Sequence, residues 1–474
     1  MAATLTSSSG RVRLASCSQE LLQQLAQFNM AEPTRCVFFL QKKKRFCKMI
    51  VAKGRRFCGE HATMEEGGSS RRITCPLDPK HTVTKDKLEK HLKRCNSREK
   101  PKPVYYVENI NAGPVLEDQE LPQVTLSEHS KAELEALVDK LKAAVEGLES
   151  EVEDRILSHS VLQDQLINPK NGESAHKHLK QQASILGHLE ELNLLYGQRC
   201  FVEFGAGRGK LSHWIHEALR THEDPKARED LQLLLVERCS TRFKVDGKHQ
   251  DAGLEFERLQ VDIQHLDLSR VPLLQQKQLP LVGVGKHVCG AATDLALRCL
   301  LGTAGAGDET RPASKRSKPA DEAIQDPSLT PWPRPLLGLA VALCCHHRCE
   351  WRHYVGQEFF QQKGLGPAEF SSFCRMSSWA TCGLRPANQE PPSQNPSNQR
   401  GEDDAHQPVE ETDAVSSFLT AAKRQQLGRL CKLLIDGGRC HFLQTRGLST
   451  KLIGYVDTGV TLENVLLTAV PSES

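Results

Sequence analysis

The sequence predicts an α/β fold: a parallel, doubly wound sheet of the Rossmann-like kind, preceded by two small metal-stabilised fingers and a helical segment. Three observations carry this. Two Cys/His tetrads crowd into residues 36 to 95, predicted strands and helices alternate from 176 to 300, and a glycine-rich turn joins the first of those strands to its helix. Strand–helix alternation builds parallel sheets because each parallel crossover needs an intervening helix. At roughly 150 residues per domain, 474 residues give about three units.

Composition excludes several classes. No run approaches the ~20 apolar residues that span a bilayer, and mean hydropathy is −0.46. The start, MAATLTSSSGRVRLAS, lacks the apolar core of a secretory signal. Its two arginines, with no acidic residue before Glu20, leave a transit peptide as the other reading. Seventeen cysteines without a secretory signal point to metal ligands or buried thiols rather than a disulfide framework. An intracellular protein, nuclear or cytoplasmic, is expected. Residues 35 to 100 hold 19 Lys+Arg against 7 Asp+Glu, a balance of +12, while the rest of the chain carries −9. So concentrated a basic charge implies a polyanionic partner for the N-terminal module.

Taken in order, residues 1–30 read as a flexible start with a short helix, SQELLQQLAQFNM. A CCCH finger (31–65) follows. Cys36, Cys47, Cys58 and His61 give C-x10-C-x10-C-x2-H, three thiolates and an imidazole, a full tetrahedral set for a structural Zn²⁺. A CHHC finger (70–98) offers Cys75, His81, His91 and Cys95 as C-x5-H-x9-H-x3-C. His91 and Cys95 lie four apart on one helix face, and Asp78-Pro79 turns the chain before His81. Segments this short bury too little apolar surface to fold alone, so a metal supplies the missing stability. Nearby Phe38, Phe39, Phe46 and Phe57 suit either base stacking or a mini-core, the latter for at least two of them.

Residues 99–130 read as a linker. Residues 131–158 read as helix, with Leu134, Val138, Leu141, Val145, Leu148 and Val152 at alternating spacings of four and three, about three heptads of coiled-coil seam. The spacing leaves open whether that seam dimerises or packs inward. The sheet domain (165–472) starts with the helix HKHLKQQASILGHLEELNLL. Strands follow at 199–204, 231–238, around 256–261, at 279–288 and at 336–345. Gly/Pro/charge-rich insertions at 302–335 and 386–414 read as disordered, and the first contains a short basic run, KRSK. The chain closes with the helix AAKRQQLGRLCKLLIDGG, then strands around CHFLQTRGL, TKLIGYVD and ENVLLTAV.

The sharpest motif is Phe201-Val-Glu-Phe-Gly-Ala-Gly-Arg-Gly-Lys210. Glycines at a strand-to-helix turn let the backbone approach a ligand closely. Dinucleotide folds favour G-x-G-x-x-G, and a P-loop needs G-x-x-x-x-G-K-[ST]. Here Gly205, Gly207 and Gly209 alternate, with Glu203 two residues ahead, which fits S-adenosylmethionine. Glu237 ends the second strand, placed to accept ribose hydroxyls. Asp262, with Asp267 as its rival, follows the third, where an acidic residue meets an adenine amine. The fourth strand leads into Lys286-His287-Val-Cys289-Gly-Ala-Ala-Thr-Asp294, beyond the carboxyl end of the sheet where ligands bind. Lys286 or His287 is the candidate base toward a hydroxyl, Cys289 a candidate nucleophile, and Asp294 a candidate cap of the next helix. Cys344-Cys-His346-His347-Arg-Cys-Glu350 reads as active-site wall; its spacing is too tight for one tetrahedral ion to take all its donors.

Together with KHLKQQASI, FVEFGAGRGKLS, KHVCGAATDL, CCHHRCEW and YVDTGVTLENVLL, the two tetrads closely resemble the eukaryotic tRNA 2′-O-methyltransferases that act on nucleotide 4 of the acceptor stem. The second finger also resembles the CHHC module of a minor-spliceosome subunit. The resemblance covers about residues 30 to 470. It implies methyl transfer from S-adenosylmethionine to a tRNA ribose 2′-hydroxyl, the cofactor motif falling on Glu203, Gly205, Gly207 and Gly209. Val288 stands where the family pattern favours Leu. Two other functions fit the residues: an RNA base methyltransferase using Cys289, and a zinc-dependent RNA-binding adaptor with an inactive methyltransferase fold.

Overall fold

The computed structural model describes residues 35–61 and 72–114 with short gaps, 126–148 with gaps, 152–239, 254–302, 335–382 and 419–472. The helix expected at 18–30 and both insertions, apart from their flanking residues 302 and 335, lie outside the described residues. The chain forms two separate units, residues 1–102 and 103–474.

The first unit holds both tetrads. In the CCCH segment β1 (Phe39–Leu40) pairs antiparallel with β2 (Arg45–Phe46). Cys36, Cys47, Cys58 and Val51 make a small buried cluster that Phe38 and Phe57 cover. Phe38 stacks on the His61 ring at 3.9 Å. Phe46 stays 45% exposed. Two of the four phenylalanines are thus mini-core, and Phe46 presents a face to solvent. In the CHHC segment a hairpin, β3 (Arg72–Cys75) and β4 (Asp78–Thr84), leads into α1 (Leu88–Leu92).

The second unit is built on an eight-stranded mixed sheet. Its strands are β5 (Val152–Asp154), β6 (Arg199–Phe204), β7 (Leu231–Glu237), β8 (Leu254–Gln260), β9 (Leu281–Cys289), β10 (Leu336–Cys344), β11 (Leu448–Gly454) and β12 (Val465–Pro471). Their spatial order is β5-β11-β12-β10-β9-β6-β7-β8. The five strands from β10 to β8 are parallel, as the alternation predicts, while β12 runs antiparallel to both neighbours. Layers lie on both faces, so the central strands read as continuous apolar runs. On β6, Cys200, Val202 and Phe204 enter one core and Phe201 the opposite one. Helices α3 (Glu173–Glu191) and α4 (Lys210–Arg220) cover the Phe201 side, and α5 (Ala291–Leu301) covers the other.

Three expectations change, and one reading left open is resolved. The segment read as linker packs on the sheet domain over its first dozen residues: Val107 N donates to His265 O at 2.8 Å, and the Asn111 amide donates to the carbonyls of Ile263 and Leu266. Its short apolar patch supplies Tyr105 and Tyr106 to the core, which outweighs the local turn composition. The seam helix is α2, Lys131–Val145, shorter than 131–158, and Val152 belongs to β5 instead. The coiled-coil reading gives way to the inward one. Leu134, Leu137, Val138, Leu141, Ala144 and Val145 are all buried, a stripe too wide for an a/d seam, against Leu427, Cys431 and Leu434 of α7 (Ala421–Gln444) and a cluster of aromatics. Finally, CHFLQ is helix, not strand. The pair Gly437-Gly438 does not end α7, because the Tyr354 ring needs that gap: its hydroxyl donates to Ile435 O at 2.7 Å, and a Cβ on Gly438 would sit 2.0 Å from it. Tertiary packing here overrides the usual stop signal. Trp351 and Phe360, with Phe370 and Phe373 of α6 (Pro367–Ser377), complete this third core.

A buried stripe has a measurable consequence. Leu141→Ala is expected to cost about 2–5 kcal/mol in chemical denaturation, the range for core leucines. A cost of a few tenths of a kcal/mol would mean the stripe faces solvent or a second chain.

Candidate functional site

In the finger unit each predicted tetrad converges, with all four ligand atoms within 4.8 Å of one another. In the first, His61 Nδ1 lies 3.4 Å from Cys36 Sγ and 3.3 Å from Cys58 Sγ, and Cys47 Sγ is 4.0 Å from Cys58 Sγ. In the second, Cys75 Sγ and Cys95 Sγ are 3.8 Å apart, and His91 Nε2 is 3.1 Å from His81 Nε2 and 3.2 Å from Cys75 Sγ. With metal–sulfur bonds of about 2.3 Å and metal–nitrogen bonds of about 2.0 Å, tetrahedral edges fall in this range. Both donor sets therefore fit Zn²⁺. Asp78 Oδ2 sits 3.5 Å from the outward His81 Nδ1, the carboxylate support that orients a ligating imidazole.

In the sheet unit the strand order reverses between β6 and β9. Chains leaving that point diverge, and the gap is where ligands bind in open α/β sheets. Both motifs empty into it. Gly205, Gly207 and Gly209 have φ of 61°, 48° and 70°, left-handed values that a side chain resists. Gly205 has a second constraint: a Cβ there would meet the His287 carbonyl oxygen at 2.7 Å, so this glycine brings the two motifs together. Glu203 is buried, and its Oε2 accepts from Ser212 N at 3.0 Å and from the Ser212 hydroxyl. It thus ties the strand to the first turn of α4. Burial raises its pKa to about 7, against the pull of the Ser212 bonds. Glu237 Oε2 accepts from Gly207 N at 3.0 Å, which sets it at the mouth of the turn, and Arg258 holds Gly207 O at 2.9 Å. Asp262 and Asp267 each cap a short 3₁₀ turn, through Gln264 N and Ser269 N. The Asp262 side chain is the more open of the two, 34% exposed against 14%, which leaves it the better placed for a ligand.

Lys286 is only 7% exposed. Its Nζ lies 2.9 Å from His287 Nε2 and 2.9 Å from His178 Nδ1. Burial and then the Lys286 charge push His287 down to about 3, so this imidazole is neutral at physiological pH. His178, on α3 within KHLKQQ, was not singled out by sequence. Its only signal was a histidine in a motif whose neighbours are exposed lysines.

Asp294 does not cap α5; Gly290 occupies that place. The Asp294 carboxylate is fully buried and accepts from Arg439 Nη2 at 2.7 Å. Arg439 also donates to Asp436 at 2.9 Å and to Gly290 O, and contacts Cys349 Sγ. Asp436 in turn takes His346 Nε2 at 2.8 Å. Burial opposes charge on Asp436, but His346 and Arg439 outweigh it and hold the carboxyl below its ordinary value. His346 is thus built into the support of the site rather than its open wall, while His347 is partly exposed. Asp436 and Arg439 were also missed by sequence. The signal was there: two charges on a helix face otherwise apolar. Cys289 Sγ lies 3.3 Å from Cys344 Sγ, and hydrogen bonding to Cys289 and Cys345, with burial, raises Cys344 well above an ordinary thiol.

Glu203 carries a pH signature. Its raised pKa makes its contribution to stability complete below pH 4.5, the unperturbed value, and lost as pH rises through about 7. Glu203→Gln cannot ionise and is expected to flatten the fall in stability across that window, read as melting temperature against pH. An unchanged slope would assign the titration to another group.

Comparison with known proteins agrees with this organisation. A family model described as "Methyltransferase TRM13" matches residues 180–470. "CCCH zinc finger in TRM13 protein" matches 34–62, and "U11-48K-like CHHC zinc finger" matches 72–96. The "tRNA:m(4)X modification enzyme TRM13 homolog" of Mus musculus is 51% identical over 92% of this chain and 94% of its own length. The Homo sapiens homolog is 51% identical over 93% and 95%, and the Yarrowia lipolytica enzyme of the same name 30% identical over 91% and 89%. The chain therefore belongs to the TRM13 methyltransferase family, with that family's CCCH and CHHC zinc fingers ahead of the methyltransferase region.

Proposed function

We propose that this chain transfers the methyl group of S-adenosylmethionine to the ribose 2′-hydroxyl of nucleotide 4 in the tRNA acceptor stem. The observation that carries the reading is Lys286, held between two imidazoles at the strand-order reversal, against the glycine turn that Gly205 packs onto it. The sheet unit is read as a Rossmann-like S-adenosylmethionine-dependent domain, and the two finger tetrads as the sites of two structural zinc ions. The m(4)X in the relatives' names is consistent with position 4.

The parts divide the work as follows. Gly205, Gly207 and Gly209 open backbone to the cofactor, Glu237 accepts its ribose hydroxyls, and Asp262 accepts from its adenine amine. Glu203 acts through Ser212 by fixing the turn. The bound cofactor supplies an electrophilic sulfonium methyl. A ribose hydroxyl is a poor nucleophile, and its oxygen gains negative charge as it gives up its proton to solvent water while its bond to the methyl forms. A cation fixed beforehand stabilises that charge without reorganising at the moment of reaction. Lys286 fits this role, its ammonium donating to neutral His287 and to His178. His287 Nε2 lies 2.9 Å from Lys286 Nζ, so its part is to hold Lys286. Alignment of the attacking oxygen with the methyl supplies most of the remaining acceleration. The basic fingers hold the A-form acceptor stem through phosphates and 2′-hydroxyls, since its major groove is closed to side chains.

Labelled S-adenosylmethionine and total tRNA test this directly, with nuclease and mass-spectrometric mapping of the product. A 2′-O-methyl near the 5′ end of the acceptor stem is expected, visible as resistance to alkaline cleavage at its 3′ linkage. A methylated base, or RNA binding with no transfer, would overturn the proposal. Lys286→Ala should lower kcat by about 10²–10³-fold with cofactor affinity kept, and Lys286→Arg should restore part of it. Cys47→Ser should raise KM for tRNA and leave kcat nearly unchanged. Wild-type KM in that variant would end the anchoring role of the fingers.

A further inference from the structure

Successive residues of a strand point to opposite faces of the sheet. Cys344 ends β10, and an extended continuation of the strand would turn the next residue, Cys345, to the opposite face. Cys345 instead takes φ 54° and ψ 41°, the left-handed region that a residue with a Cβ resists. This turn swings both sulfurs to one side. Cys289 reaches the same point from the neighbouring strand, in register with Cys344 across β9 and β10. All three Sγ atoms lie within 4.8 Å of one another. Strain of this kind persists only where the surroundings impose it. Here Glu463 accepts from Cys345 N at 3.3 Å, and Lys432 holds the other Glu463 oxygen.

Among the described residues, His, Cys and acidic side chains converge this tightly at three places. Two are the finger tetrads, which contribute four ligands each and are closed. The third is this triad, with Cys345 buried and Cys289 and Cys344 partly exposed, so it opens on one side. We propose that Cys289, Cys344 and Cys345 form a third metal site, taking a thiophilic d¹⁰ cation such as Zn²⁺. Three sulfur donors select soft or borderline cations over Mg²⁺ or Ca²⁺. Three protein ligands also leave a coordination position for solvent, the arrangement that separates open sites from structural ones. Three thiolates around a divalent ion leave one net negative charge. The donors come from two motifs more than fifty residues apart in sequence, which is why spacing within 344–350 alone does not reveal the site.

The site is tested by counting metal in the purified full-length chain, without reference to methyl transfer. After loading with Zn²⁺ and desalting, three equivalents per chain are expected, falling to two in Cys289→Ser and in Cys345→Ser. Two equivalents in the wild type, unchanged in both variants, would overturn the proposal. Cadmium-113 NMR of the wild type gives a readout that does not depend on how the variants fold. Three resonances are expected, one each for S₃N, S₂N₂ and S₃ donor sets. Two resonances, or a Cys289–Cys344 disulfide found by non-reducing mass analysis, would refute it.

Discussion

Arg439 has no exposed surface and no aqueous alternative to its partners. It joins three parts of the chain that are remote in sequence: the helix after β9 through Asp294 and Gly290 O, the turn after β10 through Cys349, and its own helix through Asp436. Asp436 extends the network to His346. Burying such charges gains little over a well-packed apolar core, but removing one partner leaves an uncompensated charge and costs several kcal/mol. The network therefore acts as a constraint on arrangement. Strand pairing sets KHVCGAATD against CCHHRCEW, and the guanidinium from the C-terminal helix ties together the segments that follow those strands.

That constraint reaches the candidate site through the backbone. Asp294 and Gly290 anchor the segment that follows Lys286, His287 and Cys289, and His346 anchors the one that follows Cys344 and Cys345. A network beneath the strand ends can hold the groups above them within the narrow tolerances that group transfer demands. It does so while keeping Glu203 desolvated, so that this carboxyl resists ionisation up to about pH 7. Stability is given up locally at Glu203, at His287 and at the left-handed Cys345, and is recovered in the three cores around them.

The helix α2 and the residues around 105–111 show a similar economy. Each follows the fingers in sequence and each packs on the sheet unit, one with its apolar stripe buried on α7 and the aromatic cluster, the other half-exposed against the 263–267 segment. The sheet unit thus begins at residue 103, well before the first helix of its strand–helix alternation.

What the sequence determined by itself was local. Ligand spacings set the two tetrads, because chelation by a single ion ties residues a few positions apart. The five parallel strands and the glycine turn were legible because alternation and backbone freedom are written residue by residue. Tertiary structure decided what depends on distant partners. Gly437-Gly438 looked like a stop and became the seat of Tyr354. The 134–148 stripe looked like a seam and became core once α7 was there to meet it. Asp294 looked like a cap and became the counter-ion of Arg439. His178 joined Lys286, and Cys289 joined Cys344 and Cys345, only because the sheet order brought their strands and helices together. A pattern in one segment specifies which surface must be covered, but the identity of what covers it is fixed by the free energy of the whole packed chain.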